Sequence, residues 1–119
     1  MVIIYILLKG LVLNMTNIDE KIARKIMGYT DEKPTGGLSI SSWFKDGNYV
    51  CRKTHFKPSY REGSLMKVLR VLSGENKIKA ESNNTSWAVA IINNQRYVGY
   101  GKDFSEATLE AIKNYLEGK

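Results

Sequence analysis

Two short stretches of the chain place cationic side chains beside tyrosines, a combination suited to holding a nucleotide. Their six candidate ligand-binding residues are Lys57, Tyr60 and Arg61 in FKPSYREG, and Arg96, Tyr97 and Tyr100 in QRYVGYG. An arginine can bind phosphate oxygens through two parallel hydrogen bonds, and a tyrosine ring can stack against a base or a ribose. The pattern therefore predicts a small anionic nucleotide as the ligand.

Lys57 and Arg61 lie where the sequence predicts the start of a helix. Ser59 followed by Glu62 is a capping-box pattern, and apolar residues follow at helical spacing. A helix N-terminus carries free N–H groups and a partial positive charge, so it binds phosphate readily. The alternative interpretation is a solvated corner between a strand and a helix, with Arg61 stacked on Tyr60. The same corner carries three more basic or titratable side chains, Arg52, Lys53 and His55.

The second stretch alternates its tyrosines with glycines. Gly99 and Gly101 would let a ligand approach the backbone closely, because glycine has no side chain. The alternative interpretation is that Tyr97 and Tyr100 are simply good strand formers and that the glycines mark a bulge.

The composition limits the classes of function. The chain has 119 residues, enough for one domain with a hydrophobic core, and a formal net charge of +6, which favours an anionic partner. Cys51 and His55 are its single cysteine and single histidine, too few for an intramolecular disulfide or a zinc site. They leave little for triad-type catalysis, and Glu106 and Glu110 are typical of solvated glutamates on a helix. We therefore expect a protein that is not an enzyme and that uses no cofactor or metal.

The first 14 residues, MVIIYILLKGLVLN, are apolar but are interrupted by Lys9 and Gly10. The run is shorter than the roughly 20 apolar residues of a transmembrane helix, and it lacks the pattern of a signal peptide. Because Met15 precedes a helix-like segment, we expect residues 1–14 to be an extension outside a single domain of residues 15–119. An added β-strand is the alternative, and no membrane association is expected.

Three helices are predicted from apolar periodicity and from residues that typically cap or end helices. The first spans residues 17–27. The predicted caps are, in chain order, Thr16 or Asn17, then Ser59, then Ser105. The predicted stops are Gly28, Gly74 and Gly118. The last helix should bury a stripe of four residues, Leu109, Ile112, Tyr115 and Leu116.

Five strands are predicted. Two flank Asp46 and Gly47, a strong hairpin signal, and the second of them is expected to continue to Phe56. Three follow the second helix, and SWAVAII, apolar on both faces, is expected to be central. Trp43 and Trp87 are expected in the core. The order α-ββ-α-βββ-α predicts an α+β fold in which an antiparallel sheet of about four to five strands is sandwiched between helices.

Several of these segments, in this order, resemble the phage ABA-sandwich domain family. The matching residues are Ile26, Met27, Gly28 and Tyr29 at the end of the first helix, Pro58 and Ser59, Trp87 and Val89, and Glu106, Ala107, Glu110 and Ala111. The resemblance covers residues 15–117 and implies an antiparallel sheet between helix layers and a phage origin. The chain departs from the family pattern at Tyr60 and Arg61, which make the helix start more basic.

In size and layout the chain is also similar to phage anti-Thoeris proteins, which sequester cyclic nucleotide signals. By this likeness we expect a non-enzymatic phage protein of the host cytoplasm that binds and sequesters an anionic, cyclic nucleotide signal of host antiviral defence. A homo-oligomer is expected, because a small domain forms deep pockets most easily between subunits. The alternatives are a nucleic-acid-binding phage accessory protein and a protein–protein inhibitor of a host factor.

Overall fold

A computed structural model describes residues 18–118 of the chain. The expectations for residues 1–14 and for a cap at Thr16 or Asn17 lie outside the described residues. The first described helix, α1, comprises residues 18–25. The other elements are β1 Ser42–Lys45, β2 Asn48–Arg52, a 3-10 turn Lys53–His55, α2 Glu62–Leu72, β3 Lys77–Ser82, β4 Trp87–Ile92, β5 Arg96–Gly101 and α3 Phe104–Glu117. The predicted α+β class and element order are confirmed.

The five strands are antiparallel and form two sheets, β1-β2 and β3-β4-β5. Asp46 and Gly47 connect β1 to β2 with φ angles of 52° and 78°. Positive φ at both turn residues is the geometry of a two-residue hairpin, and Lys45 pairs with Asn48 across it. The predicted hairpin is therefore confirmed. The second strand ends earlier than predicted, at Arg52, because the chain turns at Lys53–His55.

One hydrophobic core joins the helices and both sheets. Its fully buried side chains include Ile22 on α1, Leu65 on α2, Ile91 on β4 and Ile112 on α3. Trp43 of β1 lies in the same core and is 3% exposed, as predicted. Trp87 is half-buried and packs edge-on against Phe104, with ring centroids 5.4 Å apart.

Helix α3 packs on β4 and β5 at very short range. A Cβ at Gly99 would overlap the backbone N of Ala111 and the backbone O of Ala107. The two alanines and Thr108 are buried together with Ile112, so α3 buries a different face from the predicted one, made of smaller side chains. Three residues of the predicted stripe are only half-buried, namely Leu109, Tyr115 and Leu116.

The predicted Ser59 cap is wrong. Helix α2 begins at Glu62, and Arg61 occupies the N-cap position without a side-chain hydrogen bond. Ser59 instead donates from its backbone N and its Oγ to the carboxylate of Asp19, at 2.8 and 2.6 Å. Asp19 is 5% exposed, and a buried carboxylate needs hydrogen-bond donors. The Ser59 hydroxyl therefore binds Asp19 of α1 instead of capping α2.

The predicted Ser105 cap is also wrong. Asp103 has extended backbone angles and accepts a hydrogen bond from the backbone N of Glu106 at 2.8 Å, so it caps α3. Ser105 already lies inside the helix. The C-terminal end is confirmed, because Gly118 adopts the left-handed conformation that ends a helix. The first helix ends before the predicted Met27, at residue 25.

Within residues 18–118, no helix is both long and apolar enough to cross a membrane.

Candidate functional site

The three-stranded sheet presents one face away from α3, which we call the outer face. Because side chains alternate along a strand and the register is known, this face is a grid of three rows. The rows, each running from β3 through β4 to β5, are Glu81–Ala88–Tyr100, Lys79–Ala90–Val98 and Lys77–Ile92–Arg96.

The outer face combines a small apolar floor with a charged rim. Ala88, Ala90 and Val98 line a shallow cleft of about 380 Å³ together with side chains of both flanking strands. The rim residues are Lys77, Lys79, Glu81, Arg96 and Tyr100, and all five are exposed. Three cations thus face one carboxylate, and the ring of Tyr100, 69% exposed, stands beside them. The face thus has a small flat floor, an exposed aromatic ring that can stack on a planar group, and cations that can bind an anion.

Tyr97 lies on the opposite face of the sheet from Arg96 and Tyr100. Its ring packs nearly perpendicular to that of Tyr115, with centroids 5.3 Å apart, and its hydroxyl donates to Gln95 Oε1 at 2.9 Å. The close approach permitted by Gly99 is used by α3. The second predicted stretch therefore contributes Arg96 and Tyr100 to one surface and Tyr97 to another.

Tyr60 and Arg61 line a different cleft, of about 410 Å³, between the start of α2 and the start of α3. Glu62, Asp103 and Glu106 line the same cleft. Each helix thus carries acidic side chains in or beside its first turn, which already complement the positive end of its dipole. Three carboxylates against one guanidinium make this cleft a poor place for a phosphate.

Lys57 lines a third cleft, of about 240 Å³, with Asp19, Glu20 and Lys53 among its neighbours. The backbone N of Lys57 donates to Ser64 Oγ at 3.1 Å, and that hydroxyl donates to the carbonyl of His55 at 3.2 Å. Ser64 of α2 thus holds the backbone of His55 and Lys57 in place, but the cations of this corner do not line one common cleft. Lys57 and Arg61 face separate clefts of mixed charge.

Lys53, the central cation of the corner, is committed to a structural cluster. Its Nζ lies 3.6 Å from Asp31 Oδ2 and 4.4 Å from the centroid of the Trp43 ring. Arg24 donates to the same Asp31 oxygen at 2.8 Å and to Glu20 at 2.9 Å, and its guanidinium lies 5.1 Å from the Trp43 ring. Hydrogen bonds to these carboxylates raise the pKa of Arg24, and the bond from Arg24 lowers the pKa of Asp31.

Cys51 is half-buried and forms no disulfide within residues 18–118. Burial raises the pKa of the Cys51 thiol, which disfavours the nucleophilic thiolate. Within residues 18–118, no group of three or more His, Cys, Asp or Glu side chains is arranged to hold a metal ion.

Sequence reasoning missed the contribution of β3 to the outer face. Lys77, Lys79 and Glu81 alternate in NKIKAES, which is the signal of a strand with one charged face. Their neighbours across the sheet could not be assigned, because the four residues 83–86 that connect β3 to β4 do not by themselves specify the register of the two strands. The register places Lys79 beside Ala90 and Glu81 beside Ala88.

Comparison with known proteins identifies the fold but no family. No family model matches the sequence, and no curated protein matches it. Among solved structures, the chain is similar to a phage protein from Bacillus cereus ATCC 14579, with a TM-score of 0.56 and 18% sequence identity. The match covers 84% of this chain and 85% of that chain, so the two proteins share most of one fold.

Proposed function

We propose that this protein is a phage-encoded, non-enzymatic binder that sequesters an anionic, cyclic nucleotide signal of host antiviral defence in the host cytoplasm. The observation that carries the proposal is the outer face, where Arg96, Tyr100, Lys79 and one carboxylate, Glu81, line a shallow cleft with a small apolar floor. The fold shared with a Bacillus cereus phage protein supports the phage origin. Phosphates would bind the cations, and the base would stack on Tyr100.

The first experiment is a thermal-shift screen of the purified protein against linear and cyclic nucleotides. A ligand that binds only the native state stabilises it by an amount that grows with the logarithm of its concentration over Kd, and so it raises the melting temperature. We expect a concentration-dependent rise with at least one cyclic nucleotide and a smaller effect of inorganic phosphate, which lacks the base. The absence of a shift with every nucleotide of the panel would contradict the proposal.

Two tyrosine variants locate the site. Stacking of a base on an aromatic ring is worth about 1–3 kcal/mol, so Tyr100→Ala should weaken binding about 5- to 150-fold. Tyr60→Ala is the matched control, because Tyr60 is 70% exposed, like Tyr100 at 69%, but lines the acidic cleft. Isothermal titration should show a loss for Tyr100→Ala and wild-type affinity for Tyr60→Ala. The reverse result would move the site to the corner of Lys57, Tyr60 and Arg61.

Single-stranded nucleic acid is the second candidate ligand, favoured by the shallowness of the outer face. The exposed cations Lys77, Lys79 and Arg96 could follow a phosphate backbone across the sheet. The two ligands differ in salt dependence. Binding of an oligonucleotide should weaken steeply between low and physiological salt because condensed counterions are released, whereas binding of a small pocketed nucleotide should change far less.

A further inference from the structure

The outer face has a charge pattern that is complementary to itself. Glu81 and Lys77 occupy opposite ends of β3 on this face, and Tyr100 and Arg96 occupy opposite ends of β5. Between them the central row is Lys79, Ala90 and Val98. Each edge strand therefore carries two different, mutually attractive groups at equal distances from the central row.

Two face-to-face arrangements of two copies can be compared on this grid. A two-fold axis that runs along the strands would place Lys77 against Arg96 of the partner subunit, which is repulsive. An axis that crosses the strands at the central row places Glu81 against Lys77 of the partner subunit. It also places Tyr100 under the guanidinium of Arg96 of the partner subunit, a cation–π pairing. Each contact then occurs twice, as in any two-fold interface.

The centre of this arrangement is small and apolar. Ala90 and Val98 lie at the axis level, and Ala88 would face Ile92 of the partner subunit. Sheets that pack face to face lie about 10 Å apart and cross at about 30°, which side chains of this size accommodate. Lys79 is the exception, because it approaches its own copy, so the centre retains an excess of positive charge.

We propose that the outer face is the contact surface for a second copy of this chain, about a two-fold axis that crosses β3, β4 and β5 at Lys79, Ala90 and Val98. Three strands of six residues present only about 300 Å² of flat sheet, well below the roughly 800 Å² per partner of a standard interface. The dimer is therefore weak and depends on protein concentration.

The excess charge at the axis links the dimer to an anionic ligand. A phosphate between the two Lys79 ammonium groups would offset their repulsion, and the small floor leaves it room. Binding of a phosphate group at the axis and dimerisation would then strengthen each other, whereas a base stacked on Tyr100 would compete with Arg96 of the partner subunit. This ligand step rests on the proposed function, whereas the contact between copies does not.

Charge exchange within the interface tests the proposal by sedimentation equilibrium over a range of protein concentrations. Glu81→Lys and Lys77→Glu should each weaken association at least about tenfold, because like charges then face each other. The double variant Glu81→Lys/Lys77→Glu reverses the pair and should restore association to within about threefold of wild type. Failure of the double variant to recover, or a wild-type protein that stays monomeric at millimolar concentration, would overturn the proposal.

A substitution at the centre of the face distinguishes this dimer from pairing along the outer edge of β3. Val98→Arg, on β5, places a charge at the axis level but leaves the β3 edge untouched. It should abolish association if the copies meet face to face. Undiminished association of Val98→Arg would show edge pairing instead and overturn the proposal. Because all the altered residues lie on the outer face, each variant should remain folded, and circular dichroism is the measurement that checks this.

Inorganic pyrophosphate is the probe for the ligand step. We expect it to tighten association of the wild type, and to do so less for Lys79→Ala. If the charge-exchange pattern is observed but neither pyrophosphate nor any nucleotide changes the association or the melting temperature, the proposed interface is supported and the proposed function is contradicted. If nucleotides raise the melting temperature of a protein that remains monomeric, the proposed function stands and the dimer fails.

Discussion

At the scale of single residues, neighbours in space decide what a charged side chain does. Lys53 belongs by sequence to a basic corner, but its ammonium group is held by Asp31 and the Trp43 ring. Ser59 belongs by sequence to a helix cap, but it donates both of its hydrogen bonds to Asp19. Asp31 and Asp19 lie far from Lys53 and Ser59 in the sequence, so no local pattern could have identified these partners.

The Arg24–Asp31 pair should make part of the stability dependent on pH. The pKa of Asp31 is lowered in the folded protein, chiefly by the hydrogen bond from Arg24. The contribution of ionised Asp31 to the free energy of unfolding is therefore complete above the pKa of an unfolded aspartate, about 3.9. This contribution is lost as the pH falls through the lower pKa of Asp31 in the folded protein. Because Arg24 is partly exposed, Asp31→Asn should cost only about 0.2–1 kcal/mol near neutral pH.

Urea unfolding at neutral pH and at strongly acidic pH measures this effect. The difference between wild type and Asp31→Asn should vanish at the acidic end, where both side chains are neutral. Asp46→Asn is the control, because Asp46 lies in the exposed hairpin turn and asparagine tolerates its positive φ. A difference for Asp31→Asn that is the same at both pH values would contradict the assignment.

At the scale of elements, α3 packs closely on β5 through glycines and alanines rather than through large apolar residues. Gly99 and Gly101 on β5 face Ala107 and Ala111 on α3, and a Cβ at Gly101 would lie 2.6 Å from the backbone N of Ala107. Short side chains let the helix approach the sheet and bury both backbones. The spacing of large apolar residues predicted a buried stripe that included Leu109 and Tyr115, which are only half-buried.

Gly99→Ala should therefore destabilise the protein. The added methyl group would overlap the backbone of Ala107 and Ala111, and overpacking of this kind typically costs about 1–3 kcal/mol. Gly63→Ala is the matched control, because no atom lies within 4 Å of a Cβ at Gly63, and it should stabilise α2 by about 0.5–1 kcal/mol. Chemical denaturation of both variants checks the prediction, and a neutral Gly99→Ala would show that α3 does not approach β5 this closely.

At the scale of the whole molecule, two separate sheets share one core. Trp43 from the hairpin and Val89 and Ile91 from the three-stranded sheet belong to the same buried cluster, to which α1, α2 and α3 also contribute. A domain with a single core unfolds as one cooperative unit. The two sheets are therefore expected to unfold together rather than in sequence.

Single-tryptophan variants report on each sheet separately. Trp87→Phe leaves Trp43 of β1 as the fluorescent probe, and Trp43→Phe leaves Trp87 of β4. Within each variant, the urea transition followed by fluorescence should coincide with the transition followed by circular dichroism. Distinct midpoints for the two signals in either variant would show that one sheet unfolds independently of the other.

The sequence by itself determined the α+β class, the element order, the Asp46–Gly47 hairpin and the helix end at Gly118, because these depend on periodicity and on residues with special backbone preferences. It also identified Arg96 and Tyr100 as candidates. Only the tertiary structure decided that these two share a surface with Lys79, while Tyr97 lies on the other face and Arg61 lies among carboxylates. Strand register and helix docking bring distant residues together, and neither leaves a local pattern in the chain.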